Sequence, residues 1–203
     1  MITIIDYGLG NLGSIVNMLK KIGVKSVIAS EPEDIARAER IILPGVGHFD
    51  RAMERIGQNG LRKILERKAL EEKVPFLGIC LGMQLLTKSS EEGQLPGLGW
   101  IPAETIRFRF PEDSPLKIPH MGWNVVERST PSPLTENFQE ETRFYFVHSF
   151  HARVEDERYS ILKAVHGYPF DAAIQKGNLY GVQFHPEKSH RFGMQLLDNF
   201  ARL

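Results

Sequence analysis

Pro75-Phe76-Leu77-Gly78-Ile79-Cys80-Leu81-Gly82-Met83-Gln84-Leu85-Leu86 is the stretch that decides the fold. The apolar run Val74 to Ile79 reads as a buried strand, and Leu81 to Thr87 as the first turns of a helix. Cys80, the only cysteine in the chain, falls on the turn between them. Gly78 and Gly82 stand two residues to either side of it. That spacing is the Gly-x-Ser-x-Gly nucleophile elbow with sulfur in place of oxygen. The glycines let the backbone turn sharply and let the helix lie close to the sheet. A thiol there faces the positive end of the helix dipole, which favours the thiolate. The amide of Leu81, next after the nucleophile, is placed to donate to an oxyanion. A lone cysteine is more often simply core; the paired glycines are what shift this one toward chemistry.

Upstream, strand alternates with helix. Ile2 to Asp6 reads as a strand that ends in Tyr7-Gly8-Leu9-Gly10-Asn11-Leu12-Gly13. Ser14 can cap a helix with Ile15, Leu19 and Ile22 on one face, stopped by Gly23. Lys25 to Ser30 is a second strand, and Glu31-Pro32-Glu33-Asp34 opens a short helix. Arg40 to Leu43 is a third strand, followed by Pro44-Gly45-Val46-Gly47. Leu61, Ile64, Leu65 and Leu70 form a helical stripe before the Cys80 strand. Downstream, strands follow one another: Ala103 to Phe108, Trp123 to Glu127, Arg143 to Val147, Ser160 to Val165, Ala172 to Lys176 and Leu179 to Phe184. A helix from about Ser189, with Phe192, Leu196 and Phe200, closes the chain. The class is α/β: a mostly parallel central sheet flanked by helices, with an antiparallel strand extension. Residues 1–203 are expected to form one domain.

Lys plus Arg equals Asp plus Glu at 25 each, so nucleic acid and anionic membrane surfaces are poor matches as partners. One cysteine excludes an internal disulfide framework and an all-cysteine zinc site. The chain has no apolar run near membrane-spanning length and opens directly on a strand, Met1-Ile2-Thr3-Ile4-Ile5, which suggests a cytoplasmic protein with a reduced thiol.

The second informative stretch is Leu179-Tyr180-Gly181-Val182-Gln183-Phe184-His185-Pro186-Glu187-Lys188-Ser189. His185 ends an apolar strand and Glu187 follows two residues on. In extended backbone these point to the same side, and Pro186 favours that extension. The Glu187 carboxylate can fix the imidazole tautomer and leave the other ring nitrogen for Cys80, giving nucleophile, base and orienter. In a parallel sheet, such sites collect beyond the carboxyl ends of strands. Pro44-Gly45-Val46-Gly47 also ends a strand and could offer a second oxyanion amide or be an ordinary turn. A rival motif, Gly8-x-Gly10-x-x-Gly13 with Glu31 at the end of the next strand, matches the dinucleotide-binding fingerprint. The proposed chemistry needs no nicotinamide, so no cofactor and no metal is expected, and the motif reads as a tight strand-to-helix turn.

Gly78-Ile79-Cys80-Leu81-Gly82-Met83-Gln84 with Phe184-His185-Pro186-Glu187 resembles the triad-type (class I) glutamine amidotransferases. Ile4-Ile5-Asp6-Tyr7-Gly8-x-Gly10-Asn11, Leu43 to Gly47, Met121-Gly122-Trp123-Asn124, Phe146-Val147-His148-Ser149 and Gly181 to Ser189 are similar to the glutaminase subunits of imidazole glycerol phosphate synthases. The match runs in order from end to end. The resemblance implies glutamine hydrolysis through a Cys80 thioester, with His185 moving protons and Glu187 orienting it. Leu81 and Val46 or Gly47 correspond to the oxyanion donors. Gln84, Glu92 and the backbone at His148, Ser149 and Phe150 correspond to glutamine-binding positions. The ammonia would pass to a separate (β/α)8-barrel cyclase subunit in a heterodimer. That partner makes imidazole glycerol phosphate and AICAR in histidine biosynthesis. Pro119, His120, Met121, Gly122, Trp123, Asn124 and Lys188 resemble residues at that interface. Two alternatives stand beside this reading: the glutaminase subunit of anthranilate or aminodeoxychorismate synthase, and a non-catalytic partner protein on an amidotransferase-like fold. The first usually carries His where Met83 stands and lacks the Met-Gly-Trp-Asn stretch. Intact Cys80, His185 and Glu187 argue against the second.

Overall fold

Ile2, Ile4, Ile42, Leu77 and Ile79 face one apolar cluster, while Ile5, Ile41, Leu43 and Phe76 face another. This is the pleat of a sheet buried on both sides, where successive residues point to opposite faces. The computed structural model describes Met1–Leu203. Five parallel strands form the centre in the order β2 (Ser26–Ala29), β1 (Ile2–Ile5), β3 (Ile41–Gly45), β4 (Phe76–Cys80) and β12 (Leu179–Val182). Helices α1 (Leu12–Lys21) and α6 (His190–Ala201) bury Ile15, Leu19, Leu196 and Phe200 on one face. On the other lie α2 (Pro32–Ile35), α3 (Phe49–Ile56), α4 (Leu61–Glu66) and α5 (Leu81–Leu85), which bury Ile35, Phe49, Ile64 and Leu81.

Beyond β12 the pairing turns antiparallel. β11 (Tyr168–Lys176) pairs with β12 and β10 (Ser160–His166), and β10 pairs with β7 (Glu127–Arg128). β5 (Ala103–Arg107) and β9 (Phe150–Val154) branch from β11. A separate ribbon pairs β6 (His120–Val125) with β8 (Arg143–His148). The expected α/β class, with parallel sheet and antiparallel extension, is what the chain adopts. No helix is long and apolar enough to cross a membrane.

Several local expectations are corrected. Asn11, and not Ser14, caps α1: its side-chain oxygen accepts from the Ser14 amide at 3.4 Å, three residues into the helix. The stripe through Leu70 breaks because residues Arg67–Glu71 form a π turn. The extra residue rotates Leu70 outward to 45% exposure and Lys68 inward, where its ammonium meets the Ala36 carbonyl at 3.1 Å and Glu72 at 2.5 Å. The helix α3 and the strand β9 carry no expectation at all. The strand expected from Trp123 begins three residues earlier, at His120.

Candidate active site

Cys80 ends β4 and caps α5 with φ 54° and ψ −111°, a backbone conformation that a residue with a Cβ rarely adopts. Close packing around the turn holds it there. A Cβ on Gly82 would overlap the Leu43 carbonyl oxygen, and one on Gly78 would lie 2.5 Å from the Gly82 carbonyl oxygen. On Gly45, the register partner of Cys80, it would lie 2.6 Å from the Tyr7 hydroxyl. Both glycines of the elbow therefore act through backbone proximity and not through positive φ. The Tyr7 hydroxyl donates to the Pro44 carbonyl at 2.8 Å, and burial followed by the nearby Cys80 charge pushes its pKa well up.

His185 lies across the cleft from Cys80. Its amide donates to the Tyr145 carbonyl at 2.9 Å, which ties it to β8. Ser189 makes the second tie: its hydroxyl donates to the His185 carbonyl at 2.6 Å and accepts from the Tyr145 amide at 3.0 Å. His185 Nδ1 meets Glu187 Oε1 at 2.7 Å, and the other carboxylate oxygen is buried without a partner. The two side chains meet as expected, yet not along extended backbone. Pro186–Lys188 form a 3-10 turn with His185 as its extended cap, so the turn delivers the carboxylate. Burial alone would depress the imidazole. The Cys80 sulfur and the Glu187 carboxylate outweigh it and raise His185 to about 10. Cys80 Sγ also accepts from the Gln183 side-chain amide at 3.8 Å.

Cys80, Leu81, Val46, Gly47, Gln84, Glu92, His148, Ser149, Phe150, His185, Pro119 and Lys188 all line one cleft of about 350 Å³. A larger depression of about 540 Å³, around Val126 and Phe138, holds neither the thiol nor a histidine. Gln84 spends its amide nitrogen on the Phe150 carbonyl (3.2 Å) and Gln183 Oε1 (3.1 Å), which ties the cleft walls together. Glu92 accepts from the Phe49 amide at 2.8 Å and so also anchors the start of α3.

The expected interface stretch divides by strand alternation. Met121 and Trp123 face outward at 62% and 45% exposure, and Pro119 and Lys188 are also exposed. His120 is buried and Asn124 hydrogen-bonds inward, so their side chains lie on the face of the strand opposite Met121 and Trp123. Gly122 shares their side of the strand. Gln183 and Ser189 are site residues that the sequence alone does not single out. The only cue is a lone polar residue inside an apolar strand for the first, and a conventional helix-cap residue for the second.

The same fold recurs in solved structures. The crystal structure of a glutamine amidotransferase aligns with a TM-score of 0.76 at 18% identity, each chain fully covered. A glutamine amidotransferase from Thermotoga maritima aligns with a TM-score of 0.65 at 18% identity, covering 98% of this chain and 81% of the other. The architecture is thus that of the glutamine amidotransferases. Sequence comparison goes further. Residues 3–203 match the family described as glutamine amidotransferase class-I. Imidazole glycerol phosphate synthase subunit HisH 2 of Methanococcus maripaludis is 52% identical over all of this chain and 99% of its own length. HisH of Bdellovibrio bacteriovorus is 48% identical, with both chains covered in full. The chain belongs to the class-I glutamine amidotransferase family, and among its members it is similar to HisH subunits.

Proposed function

We propose that this chain hydrolyses glutamine to glutamate and ammonia and supplies the ammonia to the cyclase subunit of an imidazole glycerol phosphate synthase. One observation carries the reading: a cysteine on a strained strand-to-helix turn shares a cleft with an imidazole that a buried carboxylate holds. Cys80 sulfur attacks the side-chain amide carbon, and the oxygen takes the negative charge. The amides of Leu81 and of Val46 or Gly47 donate to that oxyanion; the first amides of a helix have no partner within it. The His185 imidazolium gives its proton to the departing nitrogen as the carbon–nitrogen bond breaks. Water then attacks the glutamyl thioester while His185 takes its proton, releasing glutamate and the thiol. Glu187, fixed at Nδ1, keeps the proton-transfer nitrogen facing the cleft. Gln84, Glu92 and the backbone of residues 148–150 are assigned to holding glutamine, the first two partly by bracing the walls.

The partner is assigned as a (β/α)8-barrel cyclase in a heterodimer. The relatives named for imidazole glycerol phosphate synthase and the exposed Pro119, Met121, Trp123 and Lys188 beside the cleft support it. The whole chain acts as one amidotransferase domain, working in the cytoplasm. Glutamate release is measured for the chain by itself, with the cyclase and its phosphoribosyl-formimino nucleotide, and with the large component of an anthranilate synthase. Stimulation by the cyclase only is expected; stimulation by the anthranilate synthase component instead would overturn the pathway assignment.

A further inference from the structure

From the cleft wall inward runs a polar chain whose side chains the mechanism above does not use. Asn124 Nδ2 donates to the Val165 carbonyl at 2.8 Å, which only the amide nitrogen can do. The same nitrogen lies 3.2 Å from His120 Nε2, so that ring atom accepts. A neutral His120 then carries its proton on Nδ1, 2.9 Å from His148 Nε2. His148 in turn carries its proton on Nδ1, 2.7 Å from the Phe150 carbonyl. The chain can be read from the other end with the same result. The Phe150 carbonyl can only accept, so His148 Nδ1 donates, Nε2 accepts and His120 Nδ1 donates. Two carbonyls at opposite ends fix one direction.

The surroundings keep both rings neutral. Burial lowers His148 well below the usual imidazole value. Burial, then the neighbouring His166, brings His120 down to about 4. His166 stacks on His120 at 4.4 Å between ring centres, and Phe108 packs against His148 at 5.2 Å. The Phe150 carbonyl at the end of the chain also accepts from Gln84, which binds Gln183, which donates to the Cys80 sulfur.

We propose that His120 and His148 are positioning residues for glutamine hydrolysis: the one-way chain from Asn124 through both rings fixes the Phe150 carbonyl, and with it Gln84 and Gln183, against the cleft. Its kinetic consequence rests on the glutaminase reading; its proton placement does not. Imidazole nitrogen shifts by NMR at neutral pH test the placement. Both residues are expected neutral and protonated on Nδ1; an Nε2 proton or a charged ring on either overturns the chain. His120→Phe keeps a ring but removes both polar links. It is expected to raise KM for glutamine about five-fold while kcat stays within about two-fold, the size of one lost neutral hydrogen bond. His120→Asn, whose amide can donate near the Nδ1 position, is expected to recover most of that loss. An unchanged KM in His120→Phe, or no recovery in His120→Asn at equal melting temperature, overturns the positioning role. A protein that turns over no glutamine would sink the glutaminase reading, while the nitrogen shifts would still judge the chain.

Discussion

Replacing Glu187 by Gln removes a charge but leaves an acceptor 2.7 Å from His185 Nδ1. Against burial, the Cys80 sulfur and that carboxylate hold His185 at about 10, so Glu187→Gln should lower the imidazole pKa, as an NMR titration would read. Glutamine turnover should fall about a hundred-fold or more as the base loses its orienting charge. In the wild type an imidazolium is available to protonate the departing amide nitrogen until pH approaches about 10. The alkaline limb of activity should therefore move to lower pH in Glu187→Gln; a limb that stays put would show that His185 is not the acid. These three residues are legible in the sequence because each motif is local, with Cys80 between two glycines and Glu187 two residues after His185. Gln183 and the link that joins His120 to His148 are not. Their partners lie far off in sequence: Gln84 and Gln183 are 99 residues apart and His120 and His148 are 28 apart.

The turn between β4 and α5 stands on the approach of α5 to β3. A methyl group on Gly82 meets the Leu43 carbonyl oxygen, backbone that cannot swing aside. Gly82→Ala should cost about 1–3 kcal/mol in urea unfolding and lower activity as well, because the nucleophile moves with its turn. An exposed-cap change gives the contrast. Asn11→Ala should cost about 1 kcal/mol through loss of the Ser14 link and leave turnover unaltered. Elements with a clear apolar period, such as β4 and α6, can be read directly from the residues. The helix α3 carries the same kind of period, with Phe49, Ala52, Met53 and Ile56 buried and Asp50, Arg51, Glu54 and Arg55 on the other face, so the signal for it is present in the sequence although no expectation covers it. The turn at Pro186–Lys188 is ambiguous in sequence because proline suits both extended backbone and the first position of a helix.

Over the whole molecule, burial of both sheet faces supplies the fold, and the histidines set how its stability varies with pH. His120 is depressed to about 4, so between there and the ordinary value near 6.5 the unfolded chain binds more protons and stability falls as pH falls. His185 is raised to about 10, so from 6.5 upward the folded chain binds more protons and stability falls as pH rises. These two terms together favour a maximum near neutrality, which unfolding midpoints across pH would locate. The outward face of β6 carries Trp123, stacked on His190 at 5.6 Å. With the cyclase as partner, Trp123→Ala should weaken the complex by about 2 kcal/mol, roughly 30-fold, in a binding titration. The central claim is that the Cys80 sulfur takes the glutamyl group, and glutamate release by Cys80→Ala, folded as the wild type and assayed with the cyclase and its nucleotide, tests it most directly. A loss of about a thousand-fold or more is the predicted result; release at the wild-type rate would contradict it.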